Sequence, residues 1–364
     1  MRRIDQRNWA HAYLKGLLVT SGKKSVRRLA ATISRDPSTV QSLRQFVSLS
    51  PWNFDEVMKE LTHWVADHRP DPVWSIGRAV LPKRGDRSVG VHRYFDLSSG
   101  RTLNCQLGLG SFLSMGTVQV PVDWCLYLPA AWTRDPDRRR EARIPDGEQH
   151  RPLWSQTLRL VDRLSARTNC ASSIVLVDMS DEPDMAHLLL GLAKRRRDFV
   201  IAVPPHLAVL HAGEGPPTPV SARHLILTQS QETTAVSRLT DRQQHTPHIQ
   251  ASLVHLPGSS HGRSPGPLYR LFTEVGPNRA PGTLWLTSLA DHAVAEVSSI
   301  AALQSGTKAV VGSMEQDFGL LDFEGRSFPG WYHHMALVSA AYSFRRMQGL
   351  PAAPPSRTTA QPLL

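Results

Sequence analysis

A change of hydrophobic period near residue 70 limits what this chain can fold into more than any other feature. Before it, apolar residues fall three and four apart, the spacing of one helical face. Trp9, Tyr13, Leu14 and Leu17 form one stripe, and Val26, Leu29, Ala30 and Ile33 form a second behind a Ser25 cap. Asp36-Pro37 opens a third carrying Val40, Leu43, Phe46 and Val47, and a fourth runs from Phe54 to Val65. After it come short strand-like runs at Pro72 to Leu81, Gly90 to Leu97, Thr102 to Phe112 and Val118 to Leu128, separated by Gly, Ser or Asp. The chain must therefore close a small helical bundle against a sheet.

Further on, Arg134 to Arg143 reads as a charged, Pro-flanked connection, and Leu153 to Leu164 as a helix. Ile174-Val175-Leu176-Val177-Asp178 is a buried-strand run ending in a carboxylate. A helix through Met185 and Leu192 and a strand from Phe199 to Val203 follow it. Strand, helix and strand in this order predict a βαβ unit in a mixed sheet, so the fold class is α/β (α+β) with flanking helices. Residues 204–280, rich in Pro, Gly, Ser, Thr and His, read as an inserted loop and β region with strands such as Leu268 to Val275. A helix from Trp331 to Met347 closes the ordered part. The expected organisation is 1–70 helical, 71–350 one large domain carrying the insertion, and 351–364 a disordered tail.

The charge points to a polyanion. The chain has 42 Lys+Arg against 31 Asp+Glu, a net charge of +11. Twelve of those cations, against six acids, lie between Arg2 and Arg69. Lys23, Lys24, Arg27, Arg28 and Arg35 cluster around the second helix, where a helix-turn-helix would set them on phosphates, which makes duplex DNA the expected partner. Arg138-Arg139-Arg140 and Arg195-Arg196-Arg197 are further basic clusters that either line a DNA path or cap helix ends. No run has the length and apolarity of a membrane helix, and three cysteines without CxxC spacing fit neither a disulfide framework nor a zinc site. A reducing cytoplasm is the expected compartment.

Several constellations carry no chemistry on spacing alone. Cys105 with Asp123 and a histidine has the residue types of a thiol nucleophile but no ordering that selects it. His333-His334 are adjacent on a helix and cannot face one metal together. His245, His248, His255 and His261 are irregularly spaced, and no phosphate-binding glycine motif is present.

The run Phe318-Gly319-Leu320-Leu321-Asp322-Phe323-Glu324-Gly325-Arg326-Ser327-Phe328, followed by Gly330-Trp331-Tyr332-His333-His334, is the longest motif. With Asp5 to Trp9, Gln45-Phe46-Val47, Ser50-Pro51-Trp52, Pro82-Lys83-Arg84-Gly85, Ser88 to Val91 and Asn104-Cys105-Gln106, it resembles actinobacterial insertion-sequence transposases of the DDE type. The resemblance implies a helical DNA-binding region before an RNase H-like fold. It also implies three carboxylates holding two Mg²⁺ ions for DNA cleavage and strand transfer.

By that resemblance the second carboxylate is Asp178 and the third Glu315, with Asp317 as competitor. The first is missing: Gly77 and Arg78 stand at the two acidic positions, with Asp71 and Asp86 the nearest acids. Gly306 and Gly312 are expected to weaken the helix before Glu315. A DNA-binding relative with lost or impaired cleavage is therefore expected. The alternatives are an active transposase and a protein repurposed around a small molecule or a regulatory role. The oligomeric state, a homodimer included, is left open by the sequence.

Overall fold

The computed structural model describes residue 1 and residues 3–67, 73–96, 99–115, 118–168, 173–212, 218–228, 232–235, 238–240, 243–245, 248–258, 266–276 and 281–348. Four helices come first: α1 (Ile4–Val19), α2 (Val26–Ile33), α3 (Ser38–Ser48) and α4 (Phe54–Ala66). Their starts follow from local chemistry. The Ser25 hydroxyl accepts from the Arg28 amide, the Asp36 carboxylate accepts from the Ser38 amide at 2.9 Å, and the Asn53 side chain accepts from the Asp55 amide at 2.9 Å.

The chain then enters β1 (Val73–Pro82), β2 (His92–Asp96), β3 (Arg101–Met115) and β4 (Val118–Leu126). Three helices follow, α5 (Ala130–Thr133), α6 (Pro136–Ala142) and α7 (Leu153–Arg167), and then β5 (Val175–Asp178), α8 (Met185–Lys194) and β6 (Phe199–Val203). The charged stretch read as a connection thus contains a helix: Asp135 caps α6 by accepting from the Asp137 and Arg138 amides, and Pro136 occupies the first turn.

Long β3 pairs antiparallel with β1 along one edge. Its other edge is shared by β2 at residues 101–105 and β4 at residues 108–115. On the far side β1 runs parallel to β5, and β5 parallel to β6 through the α8 crossover. This is the mixed sheet expected of an RNase H-like fold. Even-numbered Leu176, Val200 and Ala202 pack with Val294, Val297 and Ala301 of α10 (Val294–Asp317). Odd-numbered Val175, Val177 and Ile201 belong to the larger core with Leu160 and Leu164 of α7 and Leu188 and Leu192 of α8. Helices therefore cover both faces, as parallel strands require.

The region read as an insertion extends the same sheet, except for two of its strands, residues 238–240 and 243–245, which pair only with each other. It contains β7 (Ala208–His211), β8 (Val220–Ser221), α9 (Ala222–Thr228), β9 (Glu232–Ala235), β10 (Arg238–Thr240), β11 (Gln243–His245), β12 (His248–His255) and β13 (Tyr269–Val275). Strand β14 (Pro281–Thr287) returns antiparallel to β6, and β13, β12, β7 and β8 continue outward from it. The tail at 351–364 lies outside the described residues. Among the described residues no helix is long and apolar enough to cross a membrane.

After α10 a 3-10 turn (Leu320–Asp322) leads to α11 (Phe328–Met347), which starts at a Ser327 cap with Pro329 in its first turn. Helix α11 packs on α1, α3, α4 and β4, so the N-terminal helices and the last helix share one apolar core. His333 lies between the Val47 and Trp52 carbonyls, 2.8 Å from each, with its ring stacked 3.9 Å from Trp52. His334 is buried against Tyr13 and the Gly319 and Leu320 carbonyls. The two adjacent histidines face different partners and join the chain's two ends.

Candidate functional site

Strands β1 and β5 pair in parallel as far as Ile76 and Val177; β5 ends one residue later at Asp178, while β1 continues to Pro82. The crevice beyond the carboxyl end of a parallel strand is where open α/β sheets place ligands. Here it is a 470 Å³ cleft lined by residues of β1, β2, the loop after β5 and α10.

Gly77 and Asp178 are the next residues of the two strands, so they stand side by side on the face covered by α10. A Cβ at Gly77 would lie 2.6 Å from Thr307 Cγ2 and 3.3 Å from the Phe112 ring. The position where the resemblance implies a carboxylate is thus filled from above by α10. Glycine is required there by close approach of the helix.

Arg78 leaves β1 on the opposite face, as strand alternation dictates. Its guanidinium bonds Asp181 and lies 3.4 Å from Glu182 Oε1, 3.5 Å from the Tyr94 hydroxyl and 3.6 Å from Met179 Sδ. Burial opposes its charge, but the Asp181 bond and the neighbouring acids outweigh burial and raise its pKa above the ordinary value. Arg78 therefore ties the loop after β5 to β1 and does not meet Asp178.

Asp178 meets a different cation. Lys308, on α10, donates to Asp178 Oδ2 at 2.9 Å, while Asp178 Oδ1 accepts from the Ser180 hydroxyl at 2.7 Å and the Ser180 amide at 3.2 Å. Burial raises the Asp178 pKa, and the Ser180 and Lys308 bonds outweigh it, leaving the carboxyl below its ordinary value. Lys308 is 70% exposed, so the pair contributes little to stability. Lys308→Met is expected to move the Asp178 carboxyl upward, measurable by carbon NMR titration, while changing stability by less than about 1 kcal/mol.

Glu315 lies seven residues beyond Lys308 on the uninterrupted α10, about 10 Å along the axis. The cleft lining on that helix ends at Val311. The Glu315 carboxyl is half-buried and raised by burial. Asp317 is exposed at the helix end, where it accepts from the Ser313 hydroxyl at 3.4 Å. Asp86 lines a separate cleft with Arg87 and Arg326, and Asp71 lies outside the described residues.

The residues do not fit two divalent ions, which need several carboxylate oxygens turned into one space. Among the described carboxylates Asp178 alone faces the space beside Gly77, and both its oxygens are engaged by donors. Among the described residues no group of three His, Cys, Asp or Glu could hold an ion. The cleft lining also sums to negative charge, with Asp96, Asp178 and Asp181 against Arg78 and Lys308.

Of the basic residues around α2, Lys23, Arg27, Arg28 and Arg35 are exposed. Lys24 differs, at 5% exposure. Its amide donates to Asp322 Oδ2 at 2.6 Å and its ammonium is turned onto the Thr20 carbonyl. Cys105 is buried in β3, where burial pushes its thiol up to about 11, away from nucleophile chemistry. Sequence reasoning missed Lys308, Asp181 and Glu182. Only the three-dimensional closure of α10 and the β5 loop over β1 identifies them.

Residues 1–270 match the DDE superfamily endonuclease family, and the chain belongs to it. The matched part includes Gly77, Arg78 and Asp178, while α10 and the Phe318 to His334 motif lie beyond it. Among solved structures, a piggyBac transposase synaptic complex with hairpin DNA matches at a TM-score of 0.47 and 10% identity, over 93% of this chain. The chain spans 65% of that transposase. No curated protein matches significantly.

Proposed function

We propose that this chain is a transposase-like member of the DDE endonuclease family that binds duplex DNA and has lost two-metal cleavage. The observation that carries this reading is the state of the cleft. Thr307 fills the space of a carboxylate at Gly77, and Lys308 holds the one acid beside it. Magnesium is a hard cation that takes oxygen ligands, and an ammonium already bonded to Asp178 offers none. A scissile phosphate would also meet three carboxylates, Asp96, Asp178 and Asp181, without a metal to neutralise them. DNA binding is assigned to the basic face of α2 and its flanks, within the helical segment 1–70, through Lys23, Arg27, Arg28 and Arg35.

Incubation with supercoiled plasmid and with terminal-repeat duplexes in Mg²⁺ or Mn²⁺ is expected to give no nicking above an EDTA control. Efficient metal-dependent cleavage abolished by Asp178→Ala would overturn the reading. The volume of the cleft, 470 Å³, favours one alternative, a small-molecule site, since it falls in the size range of ligand pockets. That alternative requires the chain to bind duplex DNA negligibly at physiological salt.

A further inference from the structure

Two motifs remain without a role: Pro82-Lys83-Arg84-Gly85-Asp86-Arg87, and the Glu324-Gly325-Arg326-Ser327 run before α11. The fold brings them together. The Val89 amide donates to the Arg326 carbonyl at 3.0 Å, and Lys83 Nζ donates to the Phe323 carbonyl at 2.7 Å. The α5–α6 segment joins them, because Trp132 Nε1 donates to the Val91 carbonyl at 2.9 Å. Between the three segments lies a 350 Å³ cleft lined by Arg87, Arg138 and Arg326, with Asp86 and Glu141 as its acids.

Two of the three arginines are not consumed by internal pairing. Arg87 and Arg326 are exposed, and among the described residues neither side chain has an ion pair or hydrogen bond. Arg138 is held in place, its guanidinium 5.1 Å above the buried Trp132 ring and 3.7 Å from Asp135. Planar guanidiniums with free donors suit phosphate oxygens. Three cations against two acids make this cleft net positive, whereas the cleft at Asp178 is net negative.

Its place in the fold links it to α2. The Lys24 amide, two residues before α2, is bonded to Asp322, and Arg326 follows four residues later in the chain. Those four residues span at most roughly 14 Å. At about 3.4 Å of rise per phosphate, the cleft is therefore within about four nucleotides of Asp322 along one DNA strand.

We propose that Arg87, Arg138 and Arg326 form a phosphate-binding cleft for the backbone of duplex DNA, continuing the basic face of α2. The proposal rests on the DNA-binding reading above and adds where the duplex runs. It explains why both motifs carry arginine at positions that contribute nothing to the core.

The test is fluorescence anisotropy with a duplex of roughly 30 base pairs of arbitrary sequence, in EDTA, across a KCl series. Two double variants remove the same charge. Arg87→Gln/Arg326→Gln acts in the cleft, and Arg93→Gln/Arg223→Gln acts at exposed positions outside it. The cleft variant is expected to bind at least tenfold more weakly, with the slope of log affinity against log salt reduced by about 1.8 for two lost phosphate contacts. The outside variant is expected to stay near wild type. Equal losses in both variants, or an unchanged slope in the cleft variant while wild type binds, would overturn the cleft alone. Failure of wild type to bind would overturn the DNA-binding reading and the cleft with it. All four arginines are outside the core, and circular dichroism checks that both variants fold.

Discussion

Gly77→Asp, the substitution that would write the absent carboxylate back into β1, is expected to lower stability by about 2–6 kcal/mol and to leave the protein unable to bind divalent metal. The first part is steric. A Cβ at this position would sit 2.6 Å from Thr307 Cγ2, on the layer where α10 packs against β1, and overpacking a closed contact typically costs about 1–3 kcal/mol. The carboxylate would then be pressed under a helix, adding a desolvation cost of about 1–3 kcal/mol if left unpartnered. Urea denaturation measures the loss, and Mn²⁺ titration calorimetry measures binding. A variant as stable as wild type, or one that gains stoichiometric Mn²⁺ affinity, would show that α10 yields. The site would then be one substitution away from the chemistry of its family.

Acidification from pH 7 to pH 4 is expected to cost the fold about 3 kcal/mol through His334 alone. The residue is 1% exposed. Its Nε2 faces the Gly319 and Leu320 carbonyls at 3.1 and 3.3 Å, and its Nδ1 faces the Tyr13 hydroxyl at 3.4 Å. That set suits a neutral imidazole, with Nε2–H donating to the carbonyls and Nδ1 accepting from Tyr13. Burial, reinforced by the nearby Lys83 cation, pushes its pKa down from 6.5 to about 4.

Between those two values the unfolded chain binds a proton that the folded chain refuses. Stability therefore falls as pH falls from 6.5, and the loss is complete below about 4. A shift of that size corresponds to about 3 kcal/mol. Urea midpoints across this window should decline for wild type, and His334→Gln should flatten the decline. Parallel profiles for the two proteins would remove His334 as the cause.

Much of the architecture was legible because it is written locally. Ser25 and Asp36 sit at helix starts, and Ile174 to Asp178 is an apolar run of the right length for a buried strand. Helix α6 escaped because it has no apolar stripe, although Asp135-Pro136 is a start signal. The role of 204–280 escaped for another reason. Its strands are ordinary, but their place is fixed by β14 pairing with β6, more than eighty residues away in sequence, and loop composition says nothing about that. In the site, the pattern located Gly77, Arg78 and the strand-end Asp178. It could not show that Arg78 and Gly77 serve opposite faces with separate partners. Nor could it reveal Lys308, because a lysine in a helix looks solvated until the helix is laid over a carboxylate 130 residues earlier.

The union of the first and last helices bears on how the chain comes off the ribosome. His333 closes on Val47 across 286 residues, and at 5–20 residues per second that interval is roughly 15–60 s of synthesis. Throughout it, α1 and α3 have amphipathic faces whose covering helix does not yet exist. Their amides should gain exchange protection only once α11 has emerged, which makes the basic N-terminal surface among the last parts of the molecule to mature.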